Sequence, residues 1–422
     1  MAHLIDGPGS VGGSFVGLDV QTGQQPTQVT VDWAEMVNRE LVNLVEGAGI
    51  TPDKAINNQL LQAVLALSGQ SLGNRLNNGL FRIWQRRAEP SPTQTIDDTD
   101  GAVVIPDRWW FEAGTGGSPS LTVSREVLPD DELPPGSTVF GQFPHFCRVD
   151  QTAAASTTEP LMTQRIENAR TLAGVNVVLS VSMRIPSGSP SSTVNVVPRL
   201  IQHFGTGGTP SSPVVYDGPT IAVSGTTWVR YSWTTQLSVI TGKTFGTDEN
   251  SRLEVQLEFP TGQTHTVDLL DFRLEPGTAV GTDYPTFAED FYACQRYYQT
   301  SFADTSVPAH GASDGHEYLA LTGDPQFPYL IGTNIPFPVG MYRIPECFIY
   351  HPTSASPSET GAAGSMRTGN ASATIVDEGV SSCGATKQRL GPITPSSWDT
   401  GSNDTNWVQF HWTADAEIID NP

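Results

Sequence analysis

Two pairs of carboxylates are the first residues whose types and spacing invite a chemical reading. Glu254 and Glu258 lie in SRLEVQLEF, and Asp268 and Asp271 in TVDLLDFRLE. Glycosidic bonds are cut by two carboxyl groups about 5 to 9.5 Å apart, one supplying a proton while the other attacks or activates water. On an extended strand Glu254 and Glu258 share a face, yet at about 3.3 Å per residue they stand roughly 13 Å apart. Asp268 and Asp271 are separated by an odd number of residues, which sends them to opposite faces. Neither pair makes a catalytic couple by itself, and both read as solvated strand faces. Carboxylates meeting from different strands stay open.

His310, Asp314 and His316 in AHGASDGHEY are metal-ligating types, but their spacing matches no established site and their setting reads as a polar loop. Gly242-Lys243-Thr244 looks like the end of a phosphate loop. A true phosphate loop needs a glycine five positions before Gly242, where Leu237 stands. Gly9-Ser10 lacks the strand-turn-helix surroundings of a hydrolase nucleophile. These residues specify no cofactor, no metal and no catalytic set.

Aromatics carry more. Trp109, Trp110, Trp228, Tyr231 and Trp233 lie mid-chain, and Tyr350, Trp398, Trp407 and Trp412 in the last third. Exposed rings on a β scaffold can stack on sugars, although core packing claims most such residues. Trp398, within the loop-like TPSSWDTGSND, is the preferred ligand-binding aromatic, with Tyr350 beside it.

The elements that would position these residues are strands. From Thr171 to Gly277 the chain is a series of short apolar runs bounded by Gly, Pro, Ser or Asp. In the clearest run Leu253, Val255, Leu257 and Phe259 alternate with Arg252, Glu254, Gln256 and Glu258, a strand with one face in a core and one in water. Several such runs predict an antiparallel sandwich or barrel. Only 16% of the 422 residues are charged, while 41 glycines and 32 prolines supply turns. GTGGSPS (114–120) and GTGGTPS (205–211) echo each other as hairpin loops. A net charge of −22 argues against nucleic acid as a partner, because phosphate neutralisation needs Lys and Arg.

Before the strands, residues 1–30 are too polar to fold alone. Two helices follow. Asp32 with Glu35 gives a capping-box pattern, Trp33, Met36, Val37, Leu41, Leu44 and Val45 recur at helical spacing, and Gly47 and Gly49 end the run. Thr51-Pro52 opens a second helix carrying Ile56, Leu60, Leu61, Val64 and Leu65. This αα-hairpin is expected to dock or oligomerise; a DNA-reading role is disfavoured because basic residues are nearly absent. A further short helix over FAEDFYACQRYYQ should pack through Phe287, Phe291, Cys294 and Tyr298. Cys147, Cys294, Cys347 and Cys383 are expected to be buried free thiols, given no apolar signal region at the start. No run of eighteen apolar residues predicts a membrane span.

Segment order now adds a resemblance. A Gly-rich tail precedes VDWAEMVNRELVNLVEGAGITPDKAINNQLLQAVLAL, then LFRIWQRR, PDRWWF, FGTGGTPSSP, TWVRYSWT, ITGKTFGT and EDFYACQRYYQ, with MYRIPE and WTADAEI near the end. This resembles tail-fibre and receptor-binding appendage proteins of tailed bacteriophages and prophages, most specifically at FRIWQRR and CQRYY. The acidic insert TIDDTDGAVVIPD before DRWW departs from that pattern.

The resemblance implies a mainly β chain in three parts. Residues 1–72 would be a virion-attachment tail and helical hairpin, with Trp33, Met36, Val37, Leu41, Leu44, Leu60, Leu61 and Val64 as docking or oligomerisation residues. Residues 73–300 would be a jelly-roll sandwich like a carbohydrate-binding module, closed by a helix, and 301–422 a smaller distal β domain. The implied partners are other virion proteins, further copies of the chain as a homotrimer, and a host cell-surface glycan or protein. Assembly would take place in the host cytoplasm, with the protein ending on the virion. A polysaccharide-degrading tailspike and a purely structural decoration or adaptor are the alternatives.

Overall fold

The computed structural model describes residues 8, 11, 16–47, 50–54, 56, 59–60, 63–64, 73–133, 144–278, 280–281, 284–303, 306–312, 315–320, 335–358, 360–370, 375–395 and 405–419. Contacts divide the chain into two compact units, one of residues 1–73 with 277–283 and one of 74–276 with 284–422. Among the described residues, no helix is long and apolar enough to cross a membrane.

The first unit holds helix α1, Val31–Gly47. Thr30, not Asp32, caps it: the Thr30 hydroxyl accepts the Trp33 N–H at 3.2 Å. The hydroxyl thereby satisfies an amide that the first turn leaves without a helical partner. Trp33, Met36, Val37 and Leu44 are half-buried, Val45 is buried, and Leu41 is exposed. Residues 59–60 and 63–64 are also helical, with Leu60 and Val64 exposed; Leu61 lies outside the described residues.

The second unit begins with thirteen strands: β1 (Thr93–Asp97), β2 (Val103–Val104), β3 (Trp109–Glu112), β4 (Ser120–Val127) and β5 (His145–Ala153) come first. There follow β6 (Leu161–Glu167), β7 (Asn176–Arg184), β8 (Thr193–His203), β9 (Val214–Asp217) and β10 (Ile221–Ser224). β11 (Val229–Gln236), β12 (Arg252–Glu258) and β13 (His265–Pro276) complete this part. They form two antiparallel sheets, a six-stranded one in the order β1-β4-β5-β13-β7-β11 and a seven-stranded one in the order β10-β8-β12-β6-β3-β2 with β9 beside β8. The expected jelly-roll sandwich is present. Leu253, Val255, Leu257 and Phe259 of the β12 run are at most 1% exposed and meet Leu179, Leu269 and Phe272 of the facing sheet in one core. Each such side chain contributes about 1.5–3 kcal/mol by leaving water.

The other face of β12 corrects an expectation. Arg252 and Glu254 are buried rather than solvated, and only Gln256 and Glu258 stay half-open. They are covered by the far end of the chain, where the Arg165 guanidinium donates to the Ile418 carbonyl at 2.7 Å.

Helix α2 (Phe287–Gln295) follows the sandwich, with Thr286 and Glu289 forming a full capping box. It packs through Asp290 and Cys294, while Phe287 is exposed and Tyr298 already belongs to the next strand. Eight more strands form the last sheet. They are β14 (Tyr298–Thr300), β15 (Glu317–Ala320), β16 (Ile335–Pro336), β17 (Glu346–Tyr350), β18 (Ser365–Asn370), β19 (Ile375–Thr386), β20 (Arg389–Pro395) and β21 (Thr405–Asp415). The order is β14-β21-β18-β19-β20-β16, and β15 and β17 also pair with the long β21. Ile349, Met366, Val408, Phe410 and Trp412 lie in its core.

A buried polar seam binds this last sheet to the sandwich. It gathers the FRIWQRR, PDRWWF, CQRYY and ADAEI segments. Arg86 reaches Asp107 and Asp415, each at 2.8 Å, and its guanidinium lies 3.7 Å from the centre of the Tyr298 ring. Arg108 pairs with Glu417 and sits 3.3 Å from the Tyr297 ring centre. Asp290 accepts the Asn78 amide at 2.6 Å and pairs with Arg82. Burial pushes Asp107 up to about 6, although Arg86 pulls the other way, and burial likewise raises Glu417. Burial also opposes the Arg86 charge, but Asp415, Asp107 and Glu417 outweigh it. Charges this deep persist because each is paired.

Candidate functional site

β17 alternates. Ile349 points into the core with no exposure, so Phe348 and Tyr350 lie on the outer face of the last sheet, half-buried. The register places Phe348 opposite Thr413 and Tyr350 opposite His411 of β21. Phe302, just after β14, stacks on His411 at 4.1 Å between ring centres and meets Tyr350 edge-on at 5.2 Å. His310 closes the group, 5.5 Å from Tyr350 and 6.1 Å from Phe348.

The histidines hold loops rather than charge. His310 Nδ1 accepts the His351 N–H at 2.9 Å, and burial lowers the His310 pKa, which favours its neutral form. His351 Nδ1 accepts the Ser354 N–H at 2.9 Å. His411 Nε2 lies 2.8 Å from the Ala312 carbonyl, which makes it the donor nitrogen. Its Nδ1 is then the acceptor for the Ser301 hydroxyl at 3.2 Å, while the Ser301 oxygen takes the Trp412 N–H at 2.9 Å. Ser301 and His411 thus stand at the distance of a nucleophile and its base. The imidazole, however, is fully buried under the Phe302 ring, and the hydroxyl extends the edge of the sheet. The partly exposed rings around Tyr350, with these hydrogen-bonding groups, can stack on a flat apolar face and orient polar substituents.

The expected carboxylates do not converge. Asp268 takes Arg148 at 2.7 Å and Arg184 at 2.9 Å on the outer face of the six-stranded sheet. Asp271 takes Arg273 at 2.7 Å and also pairs with Arg230. The two aspartates were expected on opposite faces. A register shift between Leu270 and Arg273, with Asp271 at φ 54°, puts both on the outer one. Glu254 is held by Arg252 at 2.7 Å, and Glu258 pairs with Arg199. Each carboxylate therefore has its own guanidinium partner.

Tyr350 falls in the aromatic group, and Trp398 lies outside the described residues. His310 joins the rings, His316 sits 5.9 Å from His411, and Asp314 lies outside the described residues. Among the described residues no cluster of three or more metal-type ligands exists. Phe348 was legible in PECFIY, two positions from Tyr350 and across an apolar Ile349. Phe302 and His411 had no such signal, because only the β14 and β17 pairings with β21 bring them there. Between the sandwich layers lies a small recess walled chiefly by Leu179, Pro198, Ile221, Tyr231, Trp233 and Phe272. So Tyr231 and Trp233 face inward.

No family model matches the sequence, and no curated protein does. Among solved structures the chain is similar to a carbohydrate-binding module described under "CBM4 structure and function", with 14% identity and a TM-score of 0.27, covering 48% of this chain and 99% of that one. It is also similar to the CBM22-1 xylan-binding domain of Paenibacillus barcinonensis Xyn10C, with 12% identity and a TM-score of 0.26, covering 44% and 95%. A third likeness, to the enzymatically active domain of bacteriophage CBA120 tailspike protein 4, has 12% identity and a TM-score of 0.26 over 48% of this chain. The chain spans only 21% of that tailspike structure. With scores this low, none of the three bears on function.

Proposed function

We propose that the chain is a non-catalytic virion appendage that docks through residues 1–72 and binds a host cell-surface glycan with its β domains. The observation that carries this reading is the aromatic face of β17 and β21, where Phe348, Tyr350 and His310 keep part of their rings in solvent. The guanidinium partners on every carboxylate of the sandwich named above favour recognition over bond cleavage, because those oxygens are already engaged. The exposed Leu41, Leu60 and Val64 supply apolar surface for docking or for a homotrimer.

The test is binding of the full chain to an array of bacterial surface polysaccharides, with Tyr350→Ala and Phe348→Ala alongside. Binding by the parent chain and its loss in both variants is the expected result. No binding to any polysaccharide overturns the reading, and release of reducing sugar from a bound one overturns its non-catalytic part.

A further inference from the structure

Two of the four cysteines bring their thiols together inside the last sheet, from strands well separated in sequence. Cys147 and Cys294 are fully buried, whereas Cys347 of β17 and Cys383 of β19 are half-buried rather than buried as expected. The register places both of these side chains on the inner face. Cys347 lies opposite Ala414 and two positions before the core residue Ile349, and Cys383 lies opposite the core residue Ile393. Both pack against the same core.

The course of β18 brings them level. β17 and β18 each run antiparallel to β21, and β18 runs antiparallel to β19, so β17 and β19 point in opposite directions. These two strands flank the start of β18. The Ile349 N–H donates to the Ala363 carbonyl at 2.9 Å, and the Val380 N–H donates to the Gly364 carbonyl at 2.9 Å. Pairing of β18 with β19 starts at Ser365, opposite Gly379. Cys347 precedes Ile349 and Cys383 follows Val380, so both lie past the point where β18 begins. Cα atoms of β17 and β19 approach within 8 Å. The Cys383 thiol, together with burial, pushes the Cys347 thiol up. Each sulfur also lies near a local carbonyl, Cys347 Sγ 3.8 Å from that of Pro345 and Cys383 Sγ 3.9 Å from that of Gly384. An S–H group is a weak donor, so these contacts leave both sulfurs free to react.

We propose that Cys347 and Cys383 form a redox clip, a disulfide that ties β17 to β19 when the chain meets a small-molecule disulfide. One cysteine thiolate attacks the small disulfide and expels a first small thiol; the other then displaces a second from the mixed disulfide. The Sγ–Sγ bond forms as the small S–S bond breaks. Two electrons pass from the protein sulfurs to the oxidant, and the two cysteine protons end on the two small thiols. Packing alone accounts for the fully enclosed Cys147 and Cys294. The half-open pair is also within reach of the oxidant. The clip closes the loop 347–383 and so restricts the unfolded chain. Phe348 and Tyr350 lie on the opposite face of β17, so the clip fixes the strand beneath those rings without touching them.

The experiment treats the full chain, purified with reductant and then freed of it, with excess oxidised glutathione at about pH 8. Thiols counted in denaturant should fall from four to two, and peptide mapping should find Cys347 joined to Cys383 within one chain. The melting temperature should rise by about 5–15 °C and return when a dithiol reductant is added. Cys347→Ser and Cys383→Ser should each abolish both the cross-link and the shift. The parent's thiol count and map decide the matter even if a variant fails to fold. Four thiols remaining, glutathione left on either cysteine as the end product, or a link between any other pair or between chains overturns the proposal. A Cys347–Cys383 link with an unchanged melting temperature overturns its role as a clip.

Discussion

Replacing Arg86 by methionine isolates the seam. The variant keeps most of the side-chain length but leaves Asp107, at 1% exposure, without its only ion-pair partner among the described residues, and takes a second cation from Glu417. Removing one member of a buried pair costs about 3–5 kcal/mol, because the remaining charge stays desolvated. At about 2–4 °C per kcal/mol for a body of this kind, the melting temperature should fall by about 6–20 °C near neutral pH. The loss should depend on pH. Asp107 already titrates at about 6 in the folded parent, above its ordinary 3.8, so the folded state binds a proton that the unfolded chain releases. Stability from this group therefore rises as pH falls from above 6 towards 3.8. Without Arg86 the folded value climbs further, and the window widens upward. Each pH unit within it returns up to about 1.4 kcal/mol. Urea unfolding followed by tryptophan fluorescence at about pH 8 and about pH 5 should thus show a large deficit at the first and a much smaller one at the second. A deficit that is equal at both, or below about 1 kcal/mol at the higher pH, would refute the argument that a stranded buried carboxylate dominates.

Three shorter predictions follow from other parts of the fold. A Cβ at Gly79 would press into the Phe272 carbonyl oxygen, backbone against backbone, so Gly79→Ala should destabilise by about 1–3 kcal/mol or more in a thermal melt. Burial, with the Arg125 charge nearby, lowers His145 to about 4 from 6.5, so its share of stability is complete above 6.5 and lost as pH falls to 4; His145→Gln should flatten that acid limb. The neighbouring Cys383 thiol, together with burial, pushes the Cys347 thiol up, so a mild azo-type thiol oxidant should join the two and remove two titratable thiols from the chain, and Cys383→Ser should prevent it.

The strands were legible because period-two alternation survives wherever one face is buried, and β12 shows this over its whole length. What covers the other face was not. Arg252 and Glu254 read as solvated because their cover, Ile418 and the Arg165 it accepts from, comes from residues far away in sequence. The Asp271 position failed for a different reason: a positive φ at a non-glycine residue leaves no mark in the sequence, and it inverts the face assignment that follows. At α1 the cap is Thr30, two positions before the Asp32 that the capping-box pattern indicated. Tyr350 was legible as an outer-face aromatic once Ile349 was assigned inward. Its neighbours Phe302 and His411 depend on pairings across more than a hundred residues.

FRIWQRR and CQRYY, the segments most specific to the phage-appendage resemblance, join PDRWWF in welding the sandwich to the last sheet. FRIWQRR supplies Arg82 and Arg86, PDRWWF supplies Asp107 and Arg108, and CQRYY supplies the two tyrosine rings against which Arg86 and Arg108 lie. Such a seam needs many partners at once, because any one deletion strands a buried charge. The aromatic outer face obeys the opposite rule. Phe348, Tyr350 and Tyr318 keep solvent contact, so truncating them strands no buried charge. One strand, β21, serves both: Asp415 at one end holds Arg86, while His411, Gln409 and Trp407 run outward from it along a single face. The seam thereby fixes where the outer aromatic face of β21 lies relative to the sandwich. Changes in the seam should lower stability at constant ligand preference, and changes on the rings should alter ligand preference at constant stability.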